Sequence, residues 1–331
     1  MGAAFVTTGL VLGKFLPPTN GHRLLVDFAR HYVGELTVVV GTLASEPIPG
    51  EVRVAWMREL FPTVRVMHHT DENPQYPHEH PDFWELWRQS LRRLVPEGPD
   101  LVFASEPYGA ELARVLGARF VPVDLGREQV PVSGTAVRND PMTHWGHIPD
   151  VVRPWFVRRV AVLGPESTGK TTLARDLARH FGTRYVAEYA RLLLDAVGIE
   201  LDHGVFDVIL RGQRAAEEAL ARQANRVLVC DTEAFTTALY HELFLGEPSA
   251  ACLAEAERRR YDLYLLADDD VPWVPDPQRP HPEWRPWFKQ RCVEWLERRG
   301  VPWVLVRGGW DERRATAIAA VEQVLGRRQG A

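Results

Sequence analysis

The chain is poor in cysteine: Cys230, Cys252 and Cys292 stand alone, odd in number and far apart. Neither a C-x-x-C metal spacing nor a disulfide framework can be drawn from them, and a reducing cytosol is the simplest setting. Also missing is any apolar run near the roughly 20 residues that cross a bilayer, and no charged segment followed by an apolar core opens the chain. The expectation is a soluble, cytoplasmic protein with no membrane contact. A basic excess is absent too: 39 Lys and Arg against 44 Asp and Glu leave a net charge of −5. That is no footprint for nucleic acid.

What remains is ordinary globular composition, 45% hydrophobic and 25% charged over 331 residues, enough for about two domains. The clearest signal starts near the midpoint. Residues 159–163 (RVAVL), a short β-prone run, give way to Gly164, Pro165, Glu166, Ser167, Thr168, Gly169, Lys170 and Thr171, then to the amphipathic run 172–181. This is G-x-x-x-x-G-K-T between a strand and a helix. A polyphosphate needs several backbone N–H groups aimed at one point, which a glycine-punctuated loop entering a helix supplies. Lys170 is expected to reach the β and γ phosphates of ATP and Thr171 to hold Mg²⁺, with Gly164, Glu166, Ser167, Thr168, Gly169 and Thr172 completing the cradle.

Downstream, a short strand over 183–187 ends in Glu188, Tyr189, Ala190 and Arg191, and after a helix over 206–225 the apolar run 226–230 (RVLVC) ends in Asp231. A carboxylate closing an apolar strand suits Mg²⁺ or the proton of a substrate hydroxyl. Glu188 and Asp231 could exchange these roles, and either could instead be a helix cap. Strands are expected over 261–267 and 302–307, the latter between helices over 285–299 and 311–326. The Pro-rich stretch 270–281 reads as a substrate lid carrying Trp273, Asp276 and Arg279, or as a solvated connection. With Glu188, Tyr189, Arg191 and Asp231, these make the expected substrate wall.

The first half repeats the strand, tight loop, helix pattern: residues 5–12 (FVTTGLVL), then Gly13 to His22, then a helix over 23–31. The T-x-G-H tetrad, Thr19 to His22, puts a hydroxyl and an imidazole where a helix start favours an anion. Ser133-Gly134-Thr135-x-x-Arg138 offers a second phosphate grip, small hydroxyl residues at a helix start with a guanidinium one turn on. Between them lie a buried strand over 35–41, a helix over 51–61 with Arg53 and Trp56, a helix over 82–95 with Trp84 and Trp87, and a strand over 100–105. Glu106, Pro107, Tyr108 and Gly109 follow that last strand. Ligands of open α/β sheets bind at the carboxyl ends of strands, so this loop is an expected wall of the site. The histidines of 68–80 (HHTDENPQYPHEH) fit no standard metal spacing and read as a polar loop on the substrate side. Residues 139–158, with three prolines, read as a short stiff connector whose His144 and His147 serve packing.

Together, T-x-G-H and S-G-T-x-x-R resemble the nucleotidyltransferase superfamily, and the resemblance widens along the chain. GKF-x-P-x-T-x-GH, IPGE-x-R at 48–53, SEPYG at 105–109, SGT-x-x-R followed by HW, GPESTGKTTL and DVPW occur in the order of the bacterial bifunctional nicotinamide-nucleotide adenylyltransferase and ribosylnicotinamide kinase, the NadR type. The resemblance implies an α/β protein in two mainly parallel-sheet domains. A Rossmann-like nucleotidyltransferase domain over 1–152 would precede a P-loop, nucleoside-kinase-like domain over 153–331. It implies two reactions, phosphorylation of nicotinamide riboside to its mononucleotide (NMN) by ATP, then adenylyl transfer from ATP to NMN giving NAD and pyrophosphate, both with Mg²⁺. His22 and Arg138 would stabilise the pentavalent phosphorus. Gly13, Lys14, Phe15, Thr19, Gly21, Arg53, Trp56, Trp87, Glu106, Tyr108, Ser133 and Thr135 would help hold ATP and NMN. Trp56, Trp84 and Trp87 read as core residues first and as a stacking face for nicotinamide second.

Some family members carry a helix-turn-helix domain ahead of the adenylyltransferase. With a first strand near Phe5, this chain is expected to lack one and to bind no operator. Two rival readings stay open: another nucleoside kinase fused to another nucleotidyltransferase, and a pyridine-nucleotide sensor with one inactive site. Oligomeric state is not read from the sequence, and a homo-oligomer is left open.

Overall fold

The computed structural model describes residues 7–198, 200–275 and 281–326. The chain divides into two compact units, Met1–Val152 and Arg153–Ala331. Each holds a five-stranded sheet in which every strand pair is parallel.

In the first unit, strands β1 (Thr8–Gly13), β2 (Glu35–Gly41), β3 (Arg65–His69), β4 (Leu101–Ala104) and β5 (Arg119–Pro122) lie in the order β3-β2-β1-β4-β5. The order reverses between β1 and β4, which opens a crevice at their carboxyl ends. The β2 sequence ELTVVVG is buried from Leu36 onward because helices cover both faces of the sheet. Alternation survives beneath that uniform burial. Val11, Val38 and Val40 face one cluster with the helices Asn20–Tyr32 and Gly50–Leu60, whereas Leu10, Val39 and Val102 face another with the helices Phe83–Leu94 and Tyr108–Leu116. A residue pair one apart on β1 thus feeds opposite layers.

In the second unit, β6 (Arg158–Leu163), β7 (Tyr185–Val186), β8 (Val227–Asp231), β9 (Leu263–Ala267) and β10 (Trp303–Val306) lie in the order β10-β9-β6-β8-β7. β6 is central, with β8 and β9 on its two sides. Val160 and Val162 meet the helices Lys170–His180 and Trp310–Gly326 through Leu173, Leu177, Ala317 and Val321. On the other face Trp295 stacks on Phe235 at 4.4 Å and takes the edge of Tyr264, fixing the helices Ala234–Leu245 and Arg285–Arg299.

Several elements were not expected from the sequence. The edge strands β3 and β5 are partly polar, with two of five residues enclosed in β3 and none of four in β5, so they carry little apolar signal. β3 absorbs His68 and His69 from the stretch read as a polar loop. The helices Tyr108–Leu116, Ala234–Leu245 and Ala250–Arg258 also went unread, as did the short helix Arg153–Phe156 in the connector. No helix among the described residues is long and apolar enough to cross a membrane.

Candidate active sites

In the first unit β1 ends at Gly13, and the chain turns through Phe15, at φ 47°, and a cis Leu16–Pro17 bond into Thr19. Thr19 caps the helix Asn20–Tyr32 and forms a reciprocal capping box with His22. The Thr19 N–H donates to His22 Nδ1 at 3.1 Å, which makes Nδ1 the acceptor and leaves the proton of the neutral ring on Nε2. Burial first, then the positive charge of Arg127, push the imidazole pKa down to about 4. The ring, 5.1 Å from that of Phe15, is therefore a neutral N–H donor at pH 7.

The second motif meets the first here. Ser133 Oγ accepts from Ala136 N at 3.0 Å and starts the helix Gly134–Asn139. A Cβ on Gly134 would lie 3.3 Å from the Leu16 carbonyl oxygen and 3.5 Å from His22 Cε1, so this helix start packs closely against the His22 loop. Arg138 Nη1 donates to the Leu16 carbonyl at 2.8 Å. Residues more than a hundred positions apart thus meet at one corner.

Arg53 and Tyr108, expected to face ligands, are differently employed, and Trp56 and Trp87 take the core reading rather than the stacking one. Arg53 is fully enclosed, donating to the Lys14 carbonyl at 2.7 Å and to Glu46 at 2.6 Å, while Glu46 also takes the Lys14 ammonium at 3.1 Å. Arg53 therefore positions Lys14 from below. Trp87 is buried, donates its indole N–H to Pro74 O at 2.9 Å and is stacked on His69, and Trp56 is buried in the same unit. Neither offers an open ring face, whereas Trp84 is half-buried beside Phe83. The Tyr108 hydroxyl is committed to the Leu12 carbonyl at 2.6 Å and ties down the end of β1. Glu106 and Thr135 are exposed at the rim. Among the described residues no group of three or more His, Cys, Asp or Glu could hold a metal ion, His68 to His80 included.

In the second unit the loop after β6 has the form its sequence demands. Gly164 at φ 135° lies so near β9 that a Cβ would sit 2.6 Å from the Ala267 carbonyl oxygen, and Gly169 at φ 83° caps the helix Lys170–His180. Ser167, at φ 56°, accepts from Val274 N at 2.8 Å. Thr168 Oγ1 and Lys170 Nζ both donate to Pro165 O, at 2.8 and 2.9 Å, and Arg313 supports the loop through the Thr168 carbonyl at 3.1 Å.

A cleft opens beside this loop, lined by Glu166, Lys170, Glu188, Arg191 and Thr232. Asp231 ends β8 directly behind it, fully enclosed and in register with Val162 on the strand that feeds the loop. The rest of the wall was missed from sequence: Phe206 and Ile209 from the helix His203–Ala221, and Thr236, Thr237, Tyr240 and Phe244 from the helix Ala234–Leu245. Their three- and four-residue spacing right after Asp231 was the available signal. Tyr189 is not in that wall; its ring lies on Gly212, where even a Cβ would come within 2.1 Å. Trp273 also lies off the wall, its ring 5.9 Å from the Arg285 guanidinium. Asp276 and Arg279 lie outside the described residues.

A parallel α/β protein with two helix-start phosphate corners, one of them a P-loop beside a carboxylate-ended strand, belongs to the nucleotide-using transferases of the kinase type. A family model described as AAA domain matches residues 159–313. The chain is 30% identical over 349 aligned positions to the trifunctional NAD biosynthesis/regulator protein NadR of Escherichia coli K12, covering 97% of this chain and 84% of that one. Against the protein of the same description from Salmonella typhimurium LT2 the identity is 29%, covering 96% and 83%. A crystal structure of NadR protein in complex with NR superposes with a TM-score of 0.80 at 25% identity, and one in complex with NAD and AMP-PNP with 0.78, each over 98% of both chains. This chain belongs to the NadR family, enzymes of NAD biosynthesis.

Proposed function

We propose that the chain is a bifunctional NAD-salvage enzyme whose second unit phosphorylates nicotinamide riboside and whose first unit, a Rossmann-like nucleotidyltransferase domain, joins the resulting NMN to an adenylyl group. The observation that carries this reading is the presence of two separate phosphate corners, Thr19–His22 with Ser133–Arg138 and Gly164–Thr171, one in each compact unit. The relatives crystallised with NR, and with NAD and AMP-PNP, carry small molecules of the matching kind.

In the second unit the γ-phosphate of ATP would lie over residues 164–171, with the riboside in the cleft beyond. Glu188 faces that cleft together with Lys170, whereas Asp231 is enclosed behind it. Glu188 is therefore the better base for the 5′-hydroxyl proton, and Asp231 the better metal neighbour. The apolar ring surfaces of Phe206, Tyr240 and Phe244 suit the flat nicotinamide, and Thr236 and Thr237 offer hydroxyls to the ribose. Lys170 leaves Pro165 O for the β and γ phosphate oxygens and offsets charge as the phosphoryl group moves. One carboxylate and one hydroxyl, Asp231 and Thr171, are the hard oxygen donors Mg²⁺ prefers and would hold the ion, which would supply positive charge against that of the phosphates.

In the first unit a phosphate oxygen of NMN attacks the α-phosphorus of ATP as the bond to the bridging oxygen of pyrophosphate breaks. No proton has to be moved by the protein. Position and charge do most of the work. His22 donates from Nε2, and Lys14 and Arg138 bring positive charge.

Supplying nicotinamide riboside and Mg-ATP and weighing the products over time tests the reading: NMN is expected first, then NAD with one pyrophosphate each. Preference for CTP, or for a riboside with another base, would overturn it.

A further inference from the structure

The loop 123–132 carries a charged residue that neither motif includes. It is a built turn: Asp124 takes Glu128 N, Gln129 N and Val130 N at 2.9, 3.1 and 3.2 Å. Arg127 stands at its tip with φ 52°, a left-handed conformation that a side chain as large as arginine rarely adopts. The loop lies along the start of the helix bearing His22, since a Cβ on Gly21 would sit 3.7 Å from Val130 Cγ1. At its tip Arg127 Nη2 meets Glu106 Oε1 at 2.9 Å, both side chains well exposed, at 38% and 55%. So exposed a pair is weakly held, and an incoming anion displaces it readily.

Charge accounting gives this residue a task. Bound Mg-ATP keeps roughly two negative charges and the attacking phosphate of NMN brings about two more, yet His22 is neutral at pH 7. Lys14 and Arg53 share Glu46, which leaves that trio with one net positive charge, and Arg138 adds one. We propose that Arg127 is a further phosphate ligand of this site, which leaves Glu106 to close over the polyphosphate of the bound nucleoside triphosphate beside His22. This rests on the adenylyltransferase reading of the first unit.

The test compares Arg127→Ala and Arg127→Lys in the full chain. With NMN and Mg-ATP supplied, Arg127→Ala should raise the KM for ATP at least tenfold, Arg127→Lys should restore part of it, and phosphorylation of nicotinamide riboside should stay at the parent rate. A loop that is only structural would shift the melting temperature and gain nothing from lysine. A second measurement is independent of turnover: calorimetric binding of tripolyphosphate to the Lys170→Ala chain, which Arg127→Ala should weaken about tenfold. Unchanged KM and unchanged tripolyphosphate affinity would overturn the proposal. If the parent chain makes no dinucleotide while tripolyphosphate binding still depends on Arg127, the ligand role stands and the adenylyltransferase reading falls.

Discussion

At the scale of single residues, function hangs on which groups are spent on the protein and which are left for ligands. His22 is the sharpest case. Its Nδ1 is used by Thr19, and its pKa of about 4 lies below the ordinary 6.5. The unfolded chain therefore takes up this proton first as pH falls, so the stability due to neutral His22 is fully present above about 6.5 and is lost progressively down to about 4. Urea midpoints at pH 7 and pH 5 should differ less in His22→Ala than in the parent chain; an equal difference contradicts this. Any acid limb of adenylyl transfer that belongs to His22 should likewise fall near pH 4 and not near 6.5. His22, Arg138 and Lys170 stand out in the sequence because local spacing alone singles out their motifs, and the structure brings the first two to one corner. The structure turns Arg53 and Tyr189 inward and keeps Trp87 in the core, its first reading, since nothing local says whether an arginine or a ring faces a ligand or is enclosed by neighbours. Arg53 is turned inward by Glu46, seven residues earlier, and Tyr189 by the bare backbone of Gly212.

At the scale of elements, the central strands were readable because burial on both faces writes an unbroken apolar run, as in β2, β8 and β9. The edges were not, because β3 and β5 are partly solvated. The wall of the cleft was hidden for another reason: Phe206 and Ile209 sit on a helix with no motif of its own, and Thr236 to Phe244 on the helix Ala234–Leu245, which the sequence did not reveal. Gly164 shows how element packing sets the phosphate loop. Gly164→Ala would drive a Cβ into the Ala267 carbonyl at a φ few side chains accept, so kinase activity should fall by more than tenfold while adenylyl transfer is kept. At the other end of β6, Glu217 is buried among Arg159, Arg259 and the Tyr261 hydroxyl, fastening the helix His203–Ala221 to the sheet. Glu217→Ala leaves Arg159 and Arg259 only the half-exposed Glu218 and, for Arg259, Glu255, takes the acceptor from the buried Tyr261 hydroxyl, and should destabilise the second unit by about 1–3 kcal/mol, read as an earlier melting step. A melting temperature within a degree of the parent would contradict that role.

At the scale of the whole molecule, the account claims two independent chemistries in one chain. Each unit has its own sheet and its own hydrophobic layers, so fragments ending and starting at the boundary near residue 152 should each fold and keep one activity, checked by circular dichroism and product analysis. The most direct measurement is a pair of full-length variants assayed for both steps. Lys170→Ala should stop formation of NMN from nicotinamide riboside, a loss of at least a hundredfold, and leave conversion of supplied NMN to NAD at the parent rate. His22→Ala should do the reverse. A folded variant of either kind that loses both activities, or neither, would contradict the two-site account.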